Sequence, residues 1–350
     1  MPSQLEARWG VELKLPVGKV PVEILEKIVF KNLGAKRREV ILGPSTGFDG
    51  AVIDVGEKSL IVSMDPITGA VERIGLLAVN VNANDVATFG VEPMFFSSCI
   101  LLPENADDQI VKAICSQMNK ASKNLGIAII GGHCEVTPGL VNPIVIGCAM
   151  GITNKGEYVT AGGAKPGDKL ILTKSAGVEG TAILATERYD LLLKNGFNEK
   201  LLRSAQKFFE KISVVKEAIL AFKSGGVNAM HDPTEGGVLG GVHEMAIASN
   251  VGVRIFEEKI PVARETLEIC SFFGIDPLQL ISSGTLLIAS KPEFAEKIVK
   301  ELERNGIKAS VIGEFLTAKD QRLFVRKNGI VETLSHPESD HLWLALAKYR

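Results

Sequence analysis

The chain of 350 residues has no long apolar run, no excess of charge of either sign and few aromatic side chains. A bilayer span needs about 20 consecutive apolar residues, so no membrane-crossing helix is expected. Lys and Arg number 39 against 41 Asp and Glu, a net charge of −2. With no basic stripe and no interleaved aromatics, nucleic acid is not an expected partner. The stretch from Met1 to Leu15 carries Glu6, Arg8, Glu12 and Lys14 and lacks an apolar core, so it does not read as a signal peptide. The five cysteines are Cys99, Cys115, Cys134, Cys148 and Cys270. Their odd number and wide spacing give neither a zinc pattern nor a disulfide framework. Cys99 and Cys148 lie in apolar runs and read as buried reduced thiols, which points to the cytoplasm.

What is present is ordinary globular composition, 46% hydrophobic and 23% charged. The length suits two domains or one large one. Helical spacing runs over Val22 to Leu33, Glu72 to Phe89 and Asp107 to Leu125, the last two ending near Gly90 and Gly126. Strand-like runs are Val40 to Leu42, Ala51 to Val55, Leu60 to Ser63, Met94 to Leu102, Ile127 to Ile130 and Ile144 to Met150, the last three read as buried. The glycine-rich polar stretch Thr153 to Asp168 is the best boundary, giving domains at 1–155 and 165–350. The second half alternates again: strand Lys169 to Thr173, helix from Val178, one long helix Glu199 to Phe222, strands Gly226 to Met230 and Val251 to Phe256. Helix Ala263 to Phe273, strand Thr285 to Ala289, helix Glu293 to Asn305 and strand Ala309 to Glu314 follow. Asn328-Gly329 between apolar runs signals a hairpin.

Chemistry-bearing residues collect at element ends. His231-Asp232-Pro233-Thr234-Glu235-Gly236-Gly237 separates a strand from a helix. Free N–H groups and the dipole of a helix start favour an anion there. The same residues also read as a plain helix start, with Asp232 or Thr234 as cap. Asp49-Gly50 precedes a strand and Asp65 follows one, while Asn80, Asn84 and Asp85 interrupt an apolar helix. Asn80 and Asn84 share a face at i, i+4. Polar groups in such a helix are costly when buried without partners, and a hard cation such as magnesium would account for them. Local turn and capping roles for Asp65 and Asp85 remain the alternative. Gly131-Gly132-His133-Cys134-Glu135 follows an apolar strand, as ligand edges do in α/β domains. His133 could be a base, a metal ligand, a phosphate donor or a satisfied strand-end histidine. Cys134 has no recognisable activating base. Lys174 to Gly177, with Gly180 and Thr181, resembles a strand-to-helix phosphate loop without Walker spacing.

Taken in order, these segments resemble the ATP-binding superfamily of aminoimidazole ribonucleotide synthetase, over about Lys14 to Gly329. Its members include the hydrogenase maturation factor HypE, selenophosphate synthetase and thiamine-monophosphate kinase, and the HypE-like branch is the best match. The carrying segments are Lys14-Leu15-Pro16, Phe48 to Val52, Ser63 to Asp65, Ala78 to Asn80, Asn84 to Ala87, Gly131 to Glu135, His231 to Gly237, Val251 to Val253 with Ile260 to Val262, and Ser283 to Thr285. The resemblance implies a two-domain α/β (α+β) fold whose N-terminal domain forms a β-barrel across a homodimer. It implies an ATP and magnesium cleft completed by the C-terminal domain. Asp49, Asp65 and Asp85 fall at nucleotide and magnesium positions. Gly50, Asn80, Asn84, Gly131, Gly132, Glu135, Thr234, Gly236 and Gly237 are candidate nucleotide contacts, and Asp85, Asp232 and His133 candidate catalytic groups.

Three departures qualify the match. HypE carries its substrate on a C-terminal cysteine, whereas this sequence ends Ala347-Lys348-Tyr349-Arg350. Paired acids usual before the second strand are reduced to Asp49. The Gly-Gly-His start of the 131 motif is closer to selenophosphate synthetase, but no cysteine precedes Cys99. The expected function is Mg-ATP-dependent phosphorylation, with or without dehydration, of a carboxamide- or carbonyl-type acceptor. The alternatives are an ATP-binding assembly protein docking on a maturation partner, and a small-molecule phosphate kinase. Gln4 to Gly10 is polar enough for a lid over the nucleotide.

Overall fold

The computed structural model describes residues 15, 17–68, 71–337 and 339–348; the lid expected over Gln4 to Gly10 lies outside them. The first half runs α1 (Val22–Lys27), β1 (Val40–Leu42), β2 (Ala51–Val55), β3 (Lys58–Ile67), α2 (Ile74–Ala87), β4 (Pro93–Leu102), α3 (Asp108–Leu125), β5 (Ala128–Val136) and β6 (Ile144–Asn154). The second runs β7 (Lys169–Thr173), α4 (Val178–Glu187), α5 (Tyr189–Lys194), α6 (Glu199–Gln206), α7 (Val215–Ser224), β8 (Val227–His231), α8 (Gly237–Ala248) and β9 (Gly252–Phe256). It continues with α9 (Arg264–Phe273), β10 (Leu287–Ser290), α10 (Pro292–Arg304), β11 (Ala309–Leu316), β12 (Arg322–Val325), β13 (Val331–Thr333) and α11 (His341–Lys348). Two mixed sheets result, ordered β1-β2-β3-β6-β4-β5 and β13-β12-β9-β11-β7-β10-β8. Each has one parallel pair, β4 with β5 and β9 with β12; the remaining pairs are antiparallel. This is a mixed α/β architecture.

Local chemistry explains the best-placed elements. Asp107 caps α3 by accepting the Ile110 N–H at 3.0 Å, and Gly126 ends it in the left-handed region at φ 72°. The Asn328-Gly329 hairpin forms, closed by Arg326 N–H to the Ile330 carbonyl at 2.8 Å. Helix α2 is buried at every position except Leu76, because it lies between its own sheet, α3 and α7. A helix buried on all sides is a core helix, here one that carries Asn80, Asn82, Asn84 and Asp85 into the interior.

Three expectations change. The long helix over Glu199 to Phe222 breaks into α6, a 3-10 turn at Lys207–Lys211, and α7. At the break, the Ile212 carbonyl and Val214 N–H turn to the Asn84 side chain, at 2.9 and 2.8 Å. Of the strand expected over Ile127 to Ile130 only Ile127 is buried: β5, which starts at Ala128, is exposed along its whole length, on the sheet edge. Cys99 and Cys148 are half-buried rather than buried, because they lie on sheet positions that α2 and α3 do not cover.

The six-stranded sheet is apolar on both faces. In β6, Val145 and Ala149 pack inward, while Ile144, Ile146, Met150 and Ile152 point to the other side, half-buried or exposed. Runs apolar on both faces are typical of sheets covered on both sides.

Candidate functional site

Three elements and two loops bring acids to one place. Alternate residues of a strand share a face, so Ser63 and Asp65 of β3 both point at α2. Asn82 of α2 holds Asp65 by its backbone: its Oδ1 accepts the Asp65 N–H at 2.8 Å and its Nδ2 donates to the Asp65 carbonyl at 3.2 Å. Gly147 of β6 makes room for that amide, since a Cβ there would stand 2.4 Å from Asn82 Nδ2. Asp85 of α2 accepts from the Ser63 hydroxyl at 2.6 Å, and Ser63 also lies 2.8 Å from the Asp49 carbonyl oxygen. Asp65 was expected just after a strand; it lies inside β3, which runs on to Ile67.

The second half supplies the other wall. His231, the last residue of β8, places Nδ1 at 2.8 Å from Asp49 Oδ2 and Nε2 at 3.0 Å from Glu244 Oε2 on α8. Burial opposes charge on His231, but the two carboxylates outweigh it and hold its pKa well above the ordinary value. An imidazole donating from both nitrogens is a cation with no free lone pair. Its ring lies within ligand distance of Asp49 and Asp232, but while both nitrogens donate to carboxylates neither has a lone pair free for a metal. Burial also opposes the charge of Glu244, and His231, His336 and Lys19 together hold its pKa well below the usual range.

The acids themselves are strained by proximity. Burial, then Asp65, Asp232 and Asp49, push Asp85 well above the carboxylate range. Burial raises Asp65, against a hydrogen bond from Asp85, so the two lie close enough to share a proton. Burial, then Asp49, brings Asp232 to about 8. Both oxygens of Asp232 are buried without a hydrogen-bond partner. Unpartnered buried carboxylate oxygens facing other carboxylates fit a hard divalent cation, which takes oxygen ligands.

Other expected residues fall elsewhere. Asn84 bridges to residues 212 and 214, tying α2 to the second half. Asn80 donates to its own helix at Leu76, 2.8 Å away. Gly50 lines the cavity beside Asp49, where a Cβ would meet the Val62 carbonyl at 2.8 Å. The N–H groups expected to be free at the turn are used: Gly236 donates to Asp340 Oδ2 at 2.7 Å and Gly237 to the Thr234 carbonyl at 3.0 Å. Both glycines adopt positive φ, 83° and 60°, so they shape the turn. Gly131, Gly132, His133 and Glu135 lie on exposed β5, where His133 Nε2 sits 3.0 Å from Glu135 Oε2; neither cavity beside the acids includes them. Burial raises the Cys134 thiol, which disfavours a nucleophilic role. The loop at Lys174 is no phosphate cradle. Gly177 and Gly180 donate to Ser282 and Ile281, and the Lys174 ammonium pairs with Glu217.

Two cavities flank Asp65, and both include Lys19, Asp65 and Thr234. The larger, about 510 Å³, lies over Asp49 and Asp85, with Phe30, Phe48 and Val62 as apolar walls. The smaller, about 390 Å³, runs past Thr68, Glu179, Ser283 and Trp343. Sequence reading missed Glu244, Ser63, Asn82 and Lys19. Glu244 alone carries a signal, the one acid in a helix that is otherwise glycine and apolar residues apart from His243.

Residues 47–153 match the N-terminal domain model of AIR synthase related proteins, and residues 165–326 the C-terminal one. A Methanocaldococcus jannaschii protein named for hydrogenase expression and formation is 32% identical, over 85% of this chain and 88% of its own. The carbamoyl dehydratase HypE of Escherichia coli is 30% identical, over 80% of this chain and 81% of its own. A crystal structure of hydrogenase maturation protein HypE in complex with ATP superposes with a TM-score of 0.69 at 22% identity, over 94% of this chain and 98% of that one. The two domain matches, the shared fold and these relatives together place the chain in the AIR synthase-related family, in its HypE-like branch.

Proposed function

We propose that the chain is a Mg-ATP-dependent enzyme that phosphorylates a carboxamide- or carbonyl-type acceptor and drives its dehydration. The carrying observation is the buried Asp232 carboxylate, both oxygens unpartnered, facing Asp49, Asp65 and Asp85. A site so rich in carboxylates repels a polyphosphate unless cations intervene. Asp49, Asp65, Asp85 and Asp232 are the residues that would hold magnesium. Magnesium, when bound, supplies positive charge against the phosphate oxygens. Relatives named carbamoyl dehydratase support the dehydration reading, and a fold neighbour holding ATP supports the nucleotide.

The chain's own groups position the reactants. His231, locked between Asp49 and Glu244, fixes the position of the Asp49 carboxylate. Lys19, whose ammonium stands 3.4 Å from Glu244, offers a cation where the two cavities meet. The Phe30 and Phe48 walls suit the base of a nucleotide. In the proposed reaction an acceptor oxygen takes the γ-phosphoryl group and ADP leaves. That oxygen then departs as phosphate, so water is removed at the cost of ATP.

The reading extends to a homodimer. Exposed β5, with Ile129 43% and Ile130 57% exposed, continues into the half-open apolar face of its sheet. A second copy paired there would cover both, and would bring His133 and Glu135 to the interface.

Calorimetry with ATP, with and without magnesium, on wild type and Asp85→Asn tests the assignment. Magnesium-dependent binding that the substitution abolishes is expected. ATP binding indifferent to magnesium, or retained in full by Asp85→Asn, would remove the basis for the proposal.

A further inference from the structure

The smaller cavity beside Asp65 is lined by two buried side chains that each leave a polar atom without a hydrogen-bond partner. Glu179, the second residue of α4, is 4% exposed, and its Oε2 has no hydrogen-bond partner. Ser283, 1% exposed, also leaves its hydroxyl without one. Their neighbours show how unusual this is. Ser282 Oγ accepts the Gly177 N–H at 2.9 Å and meets Thr285 Oγ1 at 2.9 Å, and Thr285 donates to the Ser175 carbonyl at 2.8 Å. In this loop every hydroxyl but that of Ser283 is engaged. Buried polar groups normally find partners, and leaving one unmade is costly. Both unmet groups line the same cavity, which shares Asp65 with the larger one.

We propose that Glu179 and Ser283 form the acceptor-selecting pair of this chain, binding the N–H or O–H donors of a neutral or cationic group placed beside Asp65 and rejecting acceptors that carry a phosphate or carboxylate. The assignment rests on the phosphoryl-transfer reading above for the word acceptor, but the binding preference does not depend on it. Three features set the preference. An unmet carboxylate oxygen needs a donor. The hydroxyl beside it can give or accept, so it suits a planar group bearing both functions. Asp65, Glu179 and Glu235 all face the cavity, with Lys19 the cation among its walls, so an anion meets repulsion. Trp343 closes one side and suits a flat, partly apolar substituent. Burial raises the Glu179 carboxyl to about 7, and the proximity of Ser283 offsets only part of this. The group is thus stabilised by any donor that the cavity admits.

Three probes of one shape test this: benzamide, benzamidine and benzoate, titrated by saturation-transfer NMR into wild type, Glu179→Gln and Ser283→Ala, without nucleotide. Wild type is expected to bind benzamide and benzamidine at least about tenfold more tightly than benzoate, a difference set by one charge-assisted hydrogen bond and one repulsion. Glu179→Gln, which keeps shape and folding volume, should shrink that ratio by about tenfold. Ser283→Ala should weaken benzamide more than benzamidine. Equal binding of benzoate and benzamide to wild type, or a ratio unchanged in both variants, would overturn the proposal. Magnesium-ATP titrations on the same samples separate the two readings: loss of nucleotide binding in wild type sinks phosphoryl transfer alone. Altered probe order with intact nucleotide binding sinks the acceptor pair alone.

Discussion

At the scale of single residues, His231 is the pivot of the charge network. Removing it leaves the Asp49 carboxylate without its imidazolium partner and leaves Glu244 only Lys19 and His336. Breaking one partner of a buried pair typically costs about 3–5 kcal/mol. His231→Ala is therefore expected to lower the urea midpoint by that equivalent, even without any ligand. The raised carboxyl groups set a pH dependence of the opposite kind to most proteins. Asp232 sits at about 8, and Glu179 and Asp340 at about 7, each raised first by burial. In the unfolded chain such groups titrate near about 4. The folded state thus holds their protons more tightly, and their stabilising contribution is lost as pH rises from about 4 through 7 to 8. Melting temperature in metal-free buffer is expected to fall between pH 5.5 and 8. Magnesium at millimolar concentration should restore the Asp232 share at pH 8 and leave the Glu179 and Asp340 shares untouched. A melting temperature that rises over this range would contradict the assignment.

At the scale of elements, the Asn84 bridge explains both a helix break and the closure of the cleft. The acid-bearing α2 is fixed to the second half through the Ile212 carbonyl and the Val214 N–H. Asn84→Ala leaves both buried groups unsatisfied, and a loss of about 2–4 kcal/mol in chemical denaturation is expected. Here sequence reading reached its limit for a physical reason. Periodicity over Glu199 to Phe222 is helical throughout, and nothing local shows that a side chain 128 residues earlier in the chain will claim the Ile212 carbonyl. By contrast α3 was legible to the residue, because Asp107 and Gly126 terminate it by their own chemistry. Of the acids, Asp85 stands out as a polar group in an apolar helix, Asp49 and Asp65 as acids at strand ends and Asp232 as part of a polar helix start, and the fold brings them together. What the sequence left open was which groups are already satisfied. Gly236 and Gly237 look like an anion nest until Asp340, 104 residues from Gly236, is seen to take one of their N–H groups. Asp340→Ala is expected to free that N–H and loosen the turn, read as faster amide exchange at Gly236 and neighbouring positions.

At the scale of the whole molecule, the exposed edge and open apolar face of the first sheet are where the proposed homodimer would form. Ile127 to Ile130 was read as buried because its residues are apolar. Within one chain, however, β5 remains uncovered. Burial of such a strand depends on a neighbour that local sequence does not display. Ile130→Lys, at a position 57% exposed in the single chain, is expected to shift sedimentation from dimer to monomer while leaving the melting transition of the second half in place. An unaltered sedimentation profile would place any self-association elsewhere.

Asp65 belongs to both cavities, and this has a consequence for binding. Whatever cation neutralises that carboxylate from the nucleotide side alters the field met by a guest on the other side, and the influence is mutual. A donor-rich guest gains from a bare Asp65, whereas phosphate arrives only with its countercharge. The shared wall therefore makes the two occupancies interdependent. In the proposed reading a single carboxylate, that of Asp65, carries this coupling between the two occupancies.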